Sequence, residues 1–365
     1  MKYSRISFAA LCLALSVGGC SSSSSAGSTA KTDEQYKQDI VNGMHDSLLT
    51  EINALHQAAQ DLQNAAPLPQ GRGWDPQQDA QAIAAMKAAW IRARVAYEHV
   101  EGALAPLFPD IDGSIDARYD DFLSQLSGKG DEDLFDDQGV TGLHATERIL
   151  WADNIPQRVI DFEKALPGYK AAAFPTTAQD AANFKNKLCA RIVADAATLR
   201  DQWTPQKIDL AGAFQGLISL MNEQREKVNK ASSNEEESRY SQRTMADIRA
   251  NLEGTVPIYK LFQAWLVGKP NPKEPVKDGK QADGKILEGF QLLTQAYGQI
   301  QGDGIPQPPA TWSAENPSPQ DLQTPFGKLY TSVKGAVDPS SDGSVVDEMN
   351  DAARILGFAE FVEKP

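Results

Sequence analysis

The chain has 365 residues with 41% hydrophobic and 23% charged content, enough for one large domain or two ordinary ones, and it is no tail or low-complexity polymer. Lys and Arg total 35 against 49 Asp and Glu, and the resulting charge of -14 repels nucleic acid and anionic lipid while suiting a cationic partner or a metal. No nucleic-acid partner is expected.

In chain order, the first segment reads as a targeting signal. Lys2 and Arg5 precede an apolar stretch from Ile6 to Val17, which closes on Gly18-Gly19-Cys20. The sequence Ser16-Val17-Gly18-Gly19-Cys20 resembles a bacterial lipobox, in which small residues admit the signal peptidase ahead of a cysteine that becomes acylated. A membrane span needs about 20 apolar residues, so an uncleaved anchor helix is the weaker reading. The expectation is a signal peptide over residues 1–19, lipidation at Cys20, and a Ser-rich flexible tether over 20–31. Ser21 resembles the outer-membrane sorting residue of Gram-negative lipoproteins, which would place the body of the protein on the periplasmic face of that membrane. Losing Lys2 and Arg5 leaves 33 basic residues against 49 acidic, a charge of -16. Of the three cysteines, Cys12 departs with the signal and Cys20 carries lipid. Cys189 stays as a lone thiol, read as a small buried hydrophobe.

Past the tether the pattern is helical, with no alternation long enough for a strand. From Thr32 to Ala65, Ile40, Met44, Leu48, Ile52, Leu55 and Leu62 recur at helical spacing between a Thr-Asp-Glu start and a stop at Pro67. A second helix is predicted from about Pro76 to Leu104. An acidic loop region from Pro109 to Gly139 follows, holding a short helix over Asp116–Leu126. A third long helix starts near Val140 and ends by Asn154, before Pro156. Further helices are expected at 177–202, 207–230, 241–267, 281–300, 319–336 and 344–362, with linkers at Gly268–Gly284 and Gly302–Pro319. The fold class is therefore all-α: two antiparallel four-helix-bundle-like halves packed side by side, over 32–205 and 206–365. A weak internal echo relates Ile91-Arg92-Ala93-Arg94 to Ile248-Arg249-Ala250-Asn251. It reads as duplicated halves or as Ala-rich helices that look alike.

Two segments place potential metal ligands one helical turn apart. Glu98 and Glu101 leave the same helix face at i and i+3, and His144 and Glu147 have the same relation. Bundle proteins build carboxylate and histidine sites from such pairs on facing helices. A Glu pair on an acidic chain is ordinarily a solvated face. The flanking Leu143, Ile149, Leu150 and Trp151 instead argue that His144 and Glu147 are buried, where a charge needs a partner or an ion. His45 and His56 read as surface or core filler, and His99 projects from a different side of its turn. Asp110, Asp112 and Asp116 add carboxylates. Ile115 stands where an EF-hand needs Gly, so that loop is excluded. No Gly-x-Ser-x-Gly elbow, phosphate-binding Gly loop or His-Glu-x-x-His helix is present.

Gly142-Leu143-His144-Ala145-Thr146-Glu147 resembles the Gly-x-His-x-x-Glu signature of the imelysin-like family, which includes periplasmic iron-uptake proteins. Two ordered blocks support the likeness. Tyr97-Glu98-His99-Val100-Glu101 with the Asp-rich segment through Asp116 is one, and Arg239-Tyr240-Ser241 with Asp247 through Gly254 is the other. The resemblance implies two helical-bundle halves and a metal site near the His-x-x-Glu helix. Its ligand candidates are Glu98, Glu101, Asp116, His144 and Glu147, with Glu223 standing for a later carboxylate. Iron-uptake members often carry an N-terminal cupredoxin domain. This chain has neither room nor a copper-ligand pattern for one before Thr32, so it looks like the short form.

The function so implied is that of a lipid-anchored protein binding iron, with zinc or manganese as further possibilities, and passing it to an inner-membrane iron permease with a peroxidase-like partner. Carboxylates and one imidazole suit such hard or borderline ions. The rival is an imelysin-type metallopeptidase, disfavoured because zinc hydrolases usually combine three protein ligands with an open position. A metal-bridged polysaccharide- or protein-binding module is a third reading.

Overall fold

Thirteen α-helices account for the architecture of the computed structural model among the described residues, which are 31–125, 131–204, 206–270 and 278–362. Residues 1–30 lie outside them, and with them the expected signal peptide, the lipidation site Cys20 and nearly all of the tether. Helix α1 spans Asp33–Ala65, α2 Ala80–Leu104, α3 Pro109–Ile115, α4 Tyr119–Gln125, α5 Gly142–Leu150, α6 Gln157–Lys164 and α7 Ala178–Asn183. After a π-turn at Phe184–Leu188 come α8 Cys189–Trp203, α9 Leu210–Lys230, α10 Thr244–Val267, α11 Gly279–Gly298, α12 Pro325–Val337 and α13 Val345–Leu356. The fold is all-α, with no strand among the described residues. No described helix is long and apolar enough to cross a membrane.

The apolar stripe predicted on α1 is its buried face: Ile40, Met44, Leu48, Ile52, Leu55 and Leu62 all point inward. That face packs on α2 and α8, and α2 packs in turn on α10, α9 and α5. On the far side, α11 packs against α10, α12 and α13. Residues Asp33–Pro365 cluster as one compact unit. The two segments of the sequence echo lie on α2 and α10, which pack directly together.

Two short helices were not anticipated. The Pro109–Gly139 region was expected to hold a helix only from Asp116, yet α3 occupies Pro109–Ile115 and Asp116 is its C-terminal cap. Pro109 sits in the first turn, where a missing N–H costs nothing, and Asp110 and Asp112 favour that positive helix end. Helix α6 follows Pro156 for a similar steric reason. The last helix ends at Leu356, short of the expected 362, because Gly357 adopts a left-handed conformation that terminates it. Cys189 is a free, buried thiol whose pKa burial pushes far up, in keeping with its reading as a small hydrophobe.

Candidate metal centre

Helix α5 is hydrophobic enough to be buried along its whole length, so the polar side chains it carries go inward with it. Its first residue explains the Gly of the motif. Gly142 has φ +84°, and a Cβ there would lie 2.2 Å from the Ile115 carbonyl oxygen. Only glycine lets the start of α5 lie against the end of α3, which brings His144 beside Asp116. Trp90 on α2 donates its indole N–H to the Leu143 carbonyl at 2.8 Å and fixes the helix from the other side.

The imidazole of His144 lies between two carboxylates, with Nδ1 3.2 Å from Glu147 Oε2 and Nε2 3.3 Å from Asp116 Oδ1. The Nε2 atom is buried and has no hydrogen bond. Glu147 is fully committed: its other oxygen accepts the Ser241 backbone N–H at 2.7 Å. Burial and the nearby Arg94 charge push the His144 pKa down, but Asp116 and Glu147 outweigh them and hold it above its ordinary value. Asp116 is held well below the usual carboxylate range, because Arg94 and His144 overcome its own burial.

A second group of carboxylates adjoins this one. Oxygens of Glu98, Glu237 and Asp247 lie within 4.8 Å of one another, all buried. Arg94 sits among them, paired with Glu98 and Asp116 and lying 3.4 Å from Glu237 and 3.6 Å from Asp247. Lys227 on α9 supplies another cation, 2.9 Å from Glu237, 3.3 Å from Glu101 and 3.9 Å from Glu98. Asn251 on α10 donates to Glu98 at 2.5 Å and to Glu101 at 2.8 Å. It reaches them because Gly254, one turn on, lets α10 press against the His99 backbone of α2, where a Cβ would lie 2.2 Å from the carbonyl oxygen. Burial drives the Glu98 pKa well up despite Arg94, and it raises Asp247 to about 6.

The structure therefore brings Glu98, Glu101, Asp116, His144 and Glu147 into one connected network, with Arg94 and Lys227 as its linking cations. Glu223 stands at its edge on α9. It accepts a hydrogen bond from Ser219 at 2.8 Å and lines a surface groove of about 510 Å³ with Pro106, Gly216 and Glu226. Its carboxyl is raised to about 7 by burial, with Lys227 opposing the rise. His99 faces away, bridging Glu51 at 3.2 Å and Glu253 at 3.7 Å. Of the other acidic-loop candidates, Asp110 is exposed and Asp112 accepts the Tyr97 hydroxyl at 2.5 Å.

Sequence reasoning did not single out Arg94, Lys227, Glu237 or Asp247. Asp247 and Asn251 fall within the second resemblance block, which was the available signal for them. Glu237 carries no local pattern.

The imelysin family model matches residues 42–299, a span that includes every side chain of the network. The chain belongs to the imelysin family. A relative from Yersinia pseudotuberculosis, described as iron uptake system component EfeO, is 30% identical over 176 residues, covering 48% of this chain and 36% of that protein. The EfeO of Escherichia coli is 29% identical over 187 residues, covering 51% and 39%. The matched stretch thus spans well under half the length of these curated relatives. An imelysin-like protein from Psychrobacter arcticum aligns over 91% of this chain and 98% of its own, at 13% identity and a TM-score of 0.48.

Proposed function

We propose that this imelysin-family chain binds a hard or borderline metal ion, iron foremost with manganese or zinc as alternatives, as the cargo of an iron-uptake system. The reading places it in the periplasm, anchored through Cys20 to the outer membrane and delivering to an inner-membrane iron permease with a peroxidase-like partner. The observation that carries it is a buried, carboxylate-rich network linked to His144 through Asp116 and Arg94. A buried Nε2 without a hydrogen bond faces Asp116, and across Arg94 the buried Glu98, Glu237 and Asp247 bring oxygens within 4.8 Å of one another, with Arg94 and Lys227 as the cations among them. A multivalent cation among these oxygens offsets the charge of the ionised carboxylates. The EfeO relatives support iron as the cargo.

In this reading His144 Nε2, Asp116, Glu98 and Glu101 supply donors. Glu147 orients the imidazole through Nδ1, the arrangement that commonly fixes a histidine ligand's tautomer. With one Glu147 oxygen on the Ser241 N–H and the other facing His144, neither is left to activate a water. That geometry favours binding over the peptidase reading.

The test is metal analysis and calorimetric titration with Mn2+ and, anaerobically, Fe2+, on the chain lacking residues 1–20 and its His144→Ala and Glu147→Gln variants. His144→Ala should weaken binding at least tenfold, and Glu147→Gln by about 10–100-fold. Equal affinity in all three would sink the proposal.

A further inference from the structure

Lys227 is an unusual occupant of the α2/α9/α10 junction. The residue is 4% exposed, and its ammonium lies in an all-oxygen shell: Glu237 Oε1 at 2.9 Å, Asn251 Oδ1 at 3.1 Å, Glu101 Oε2 at 3.3 Å and Glu98 Oε2 at 3.9 Å. Burial opposes its charge, but Glu101, Glu237 and Glu98 outweigh that and keep it protonated. Oxygens drawn from three segments around one small cation form the kind of donor set that hard metal ions take, at shorter distances than an ammonium permits. Two of these oxygens belong to Glu98 and Glu101, which the proposed metal site also needs. A metal that takes both carboxylates through the oxygens facing Lys227 must displace the ammonium from them.

A second carboxylate stands on the same helix. One turn before Lys227, Glu223 faces the groove of about 510 Å³ that opens between α9, Pro106 and the C-terminal residues Phe361 and Val362. Its carboxylate accepts a hydrogen bond from the Ser219 hydroxyl, and it already feels the Lys227 charge. Lysine's long flexible stem lets its head change partners without a backbone shift.

We propose that Lys227 is an exchangeable internal counterion: the incoming metal ion displaces its ammonium from Glu98, Glu101 and Glu237, and the ammonium moves to Glu223 at the groove. No covalent bond changes, and a single charge is replaced by a double or triple one among the same carboxylates. The metal-free chain is thereby kept folded, and every binding event is opposed by the cost of moving Lys227. Cargo is held loosely enough to be handed on. This inference rests on the metal-binding reading above.

The experiment titrates Mn2+ into the full chain carrying Lys227→Met, Lys227→Arg, Glu223→Gln, the Lys227→Met/Glu223→Gln double change, or His144→Ala. Lys227→Met should bind Mn2+ at least tenfold more tightly than the parent, and Lys227→Arg should not. Glu223→Gln should weaken binding severalfold with Lys227 present and have no effect in the Lys227→Met background. A continued loss in the double variant would make Glu223 a metal ligand and overturn its role as acceptor. If His144→Ala weakens binding while Lys227→Met binds no tighter than the parent, the counterion proposal fails and the metal site stands. If His144→Ala binds like the parent, the metal-site reading itself fails. Should Lys227→Met not fold, acetylation footprinting of the parent decides: Lys227 becomes more reactive when Mn2+ is added, and unchanged reactivity overturns the exchange.

Discussion

At His144, the two ring nitrogens face different carboxylates, and this fixes how the side chain responds to pH. Its pKa lies above the ordinary value of 6.5, because Asp116 and Glu147 outweigh burial and Arg94, so a proton must leave before Nε2 can bind a metal. Affinity for Mn2+ should therefore rise as the pH climbs above 6.5, with proton release visible as a buffer-dependent heat in calorimetry; a flat profile would count against His144 as a ligand. Stability of the metal-free chain runs the other way. The raised pKa contributes stability that is complete below 6.5 and is lost as pH rises through the folded value, and His144→Gln should remove that slope from urea unfolding. Arg94 sets a second expectation. It is the common partner of Glu98, Asp116, Glu237 and Asp247, so Arg94→Met leaves buried charges uncompensated. The loss should be about 3–5 kcal/mol at neutral pH, as for a broken buried pair, and should shrink toward acid pH as the orphaned carboxylates protonate. A loss that is constant with pH would mean the guanidinium contributes mainly packing.

Single elements explain what could be read in advance. The long helices were legible because their apolar stripes, as on α1, must be buried and recur with the helical period. The His144/Glu147 pair was legible because both residues share one turn of a helix that is buried all round. Glu237 was not legible: it lies in the segment between α9 and α10 and meets Arg94 143 residues away in sequence, a proximity no local spacing encodes. Lys227 likewise read as one cation among the chain's 35, although its surroundings make it an internal ion. Helix α3 was hidden by its acidity, although Pro109 marked its start. The junction of α3 and α5 carries its own prediction. Gly142→Ala imposes a left-handed conformation costing about 1–2 kcal/mol, and it adds a clash with the Ile115 carbonyl. Relief of that clash moves α5 away from α3 and so His144 away from Asp116. Thermal unfolding and Mn2+ affinity should both fall, whereas a variant that lost stability yet bound normally would separate the glycine from the site.

Across the whole molecule, the network couples parts that are distant in sequence. Glu98 and Glu101 come from α2, Asp116 from the end of α3, His144 from α5, Lys227 from α9 and Asn251 from α10. Repulsion among these carboxylates is held by two cations, and α2, which lends Arg94, Glu98 and Glu101, packs on α1, α5, α9 and α10. An ion bound there relieves repulsion at the meeting point of most of the core, so its effect should spread beyond the ligands. At 100 times its dissociation constant a ligand specific for the folded state adds about 2.7 kcal/mol. The melting temperature should accordingly rise by a few degrees with saturating Mn2+, and His144→Ala should abolish the rise. Amide exchange should slow together in α2, α5 and α10, because opening any of them breaks the same site. Protection confined to α5 would show instead that the ion is held by His144 and its immediate neighbours, without the carboxylates of α2.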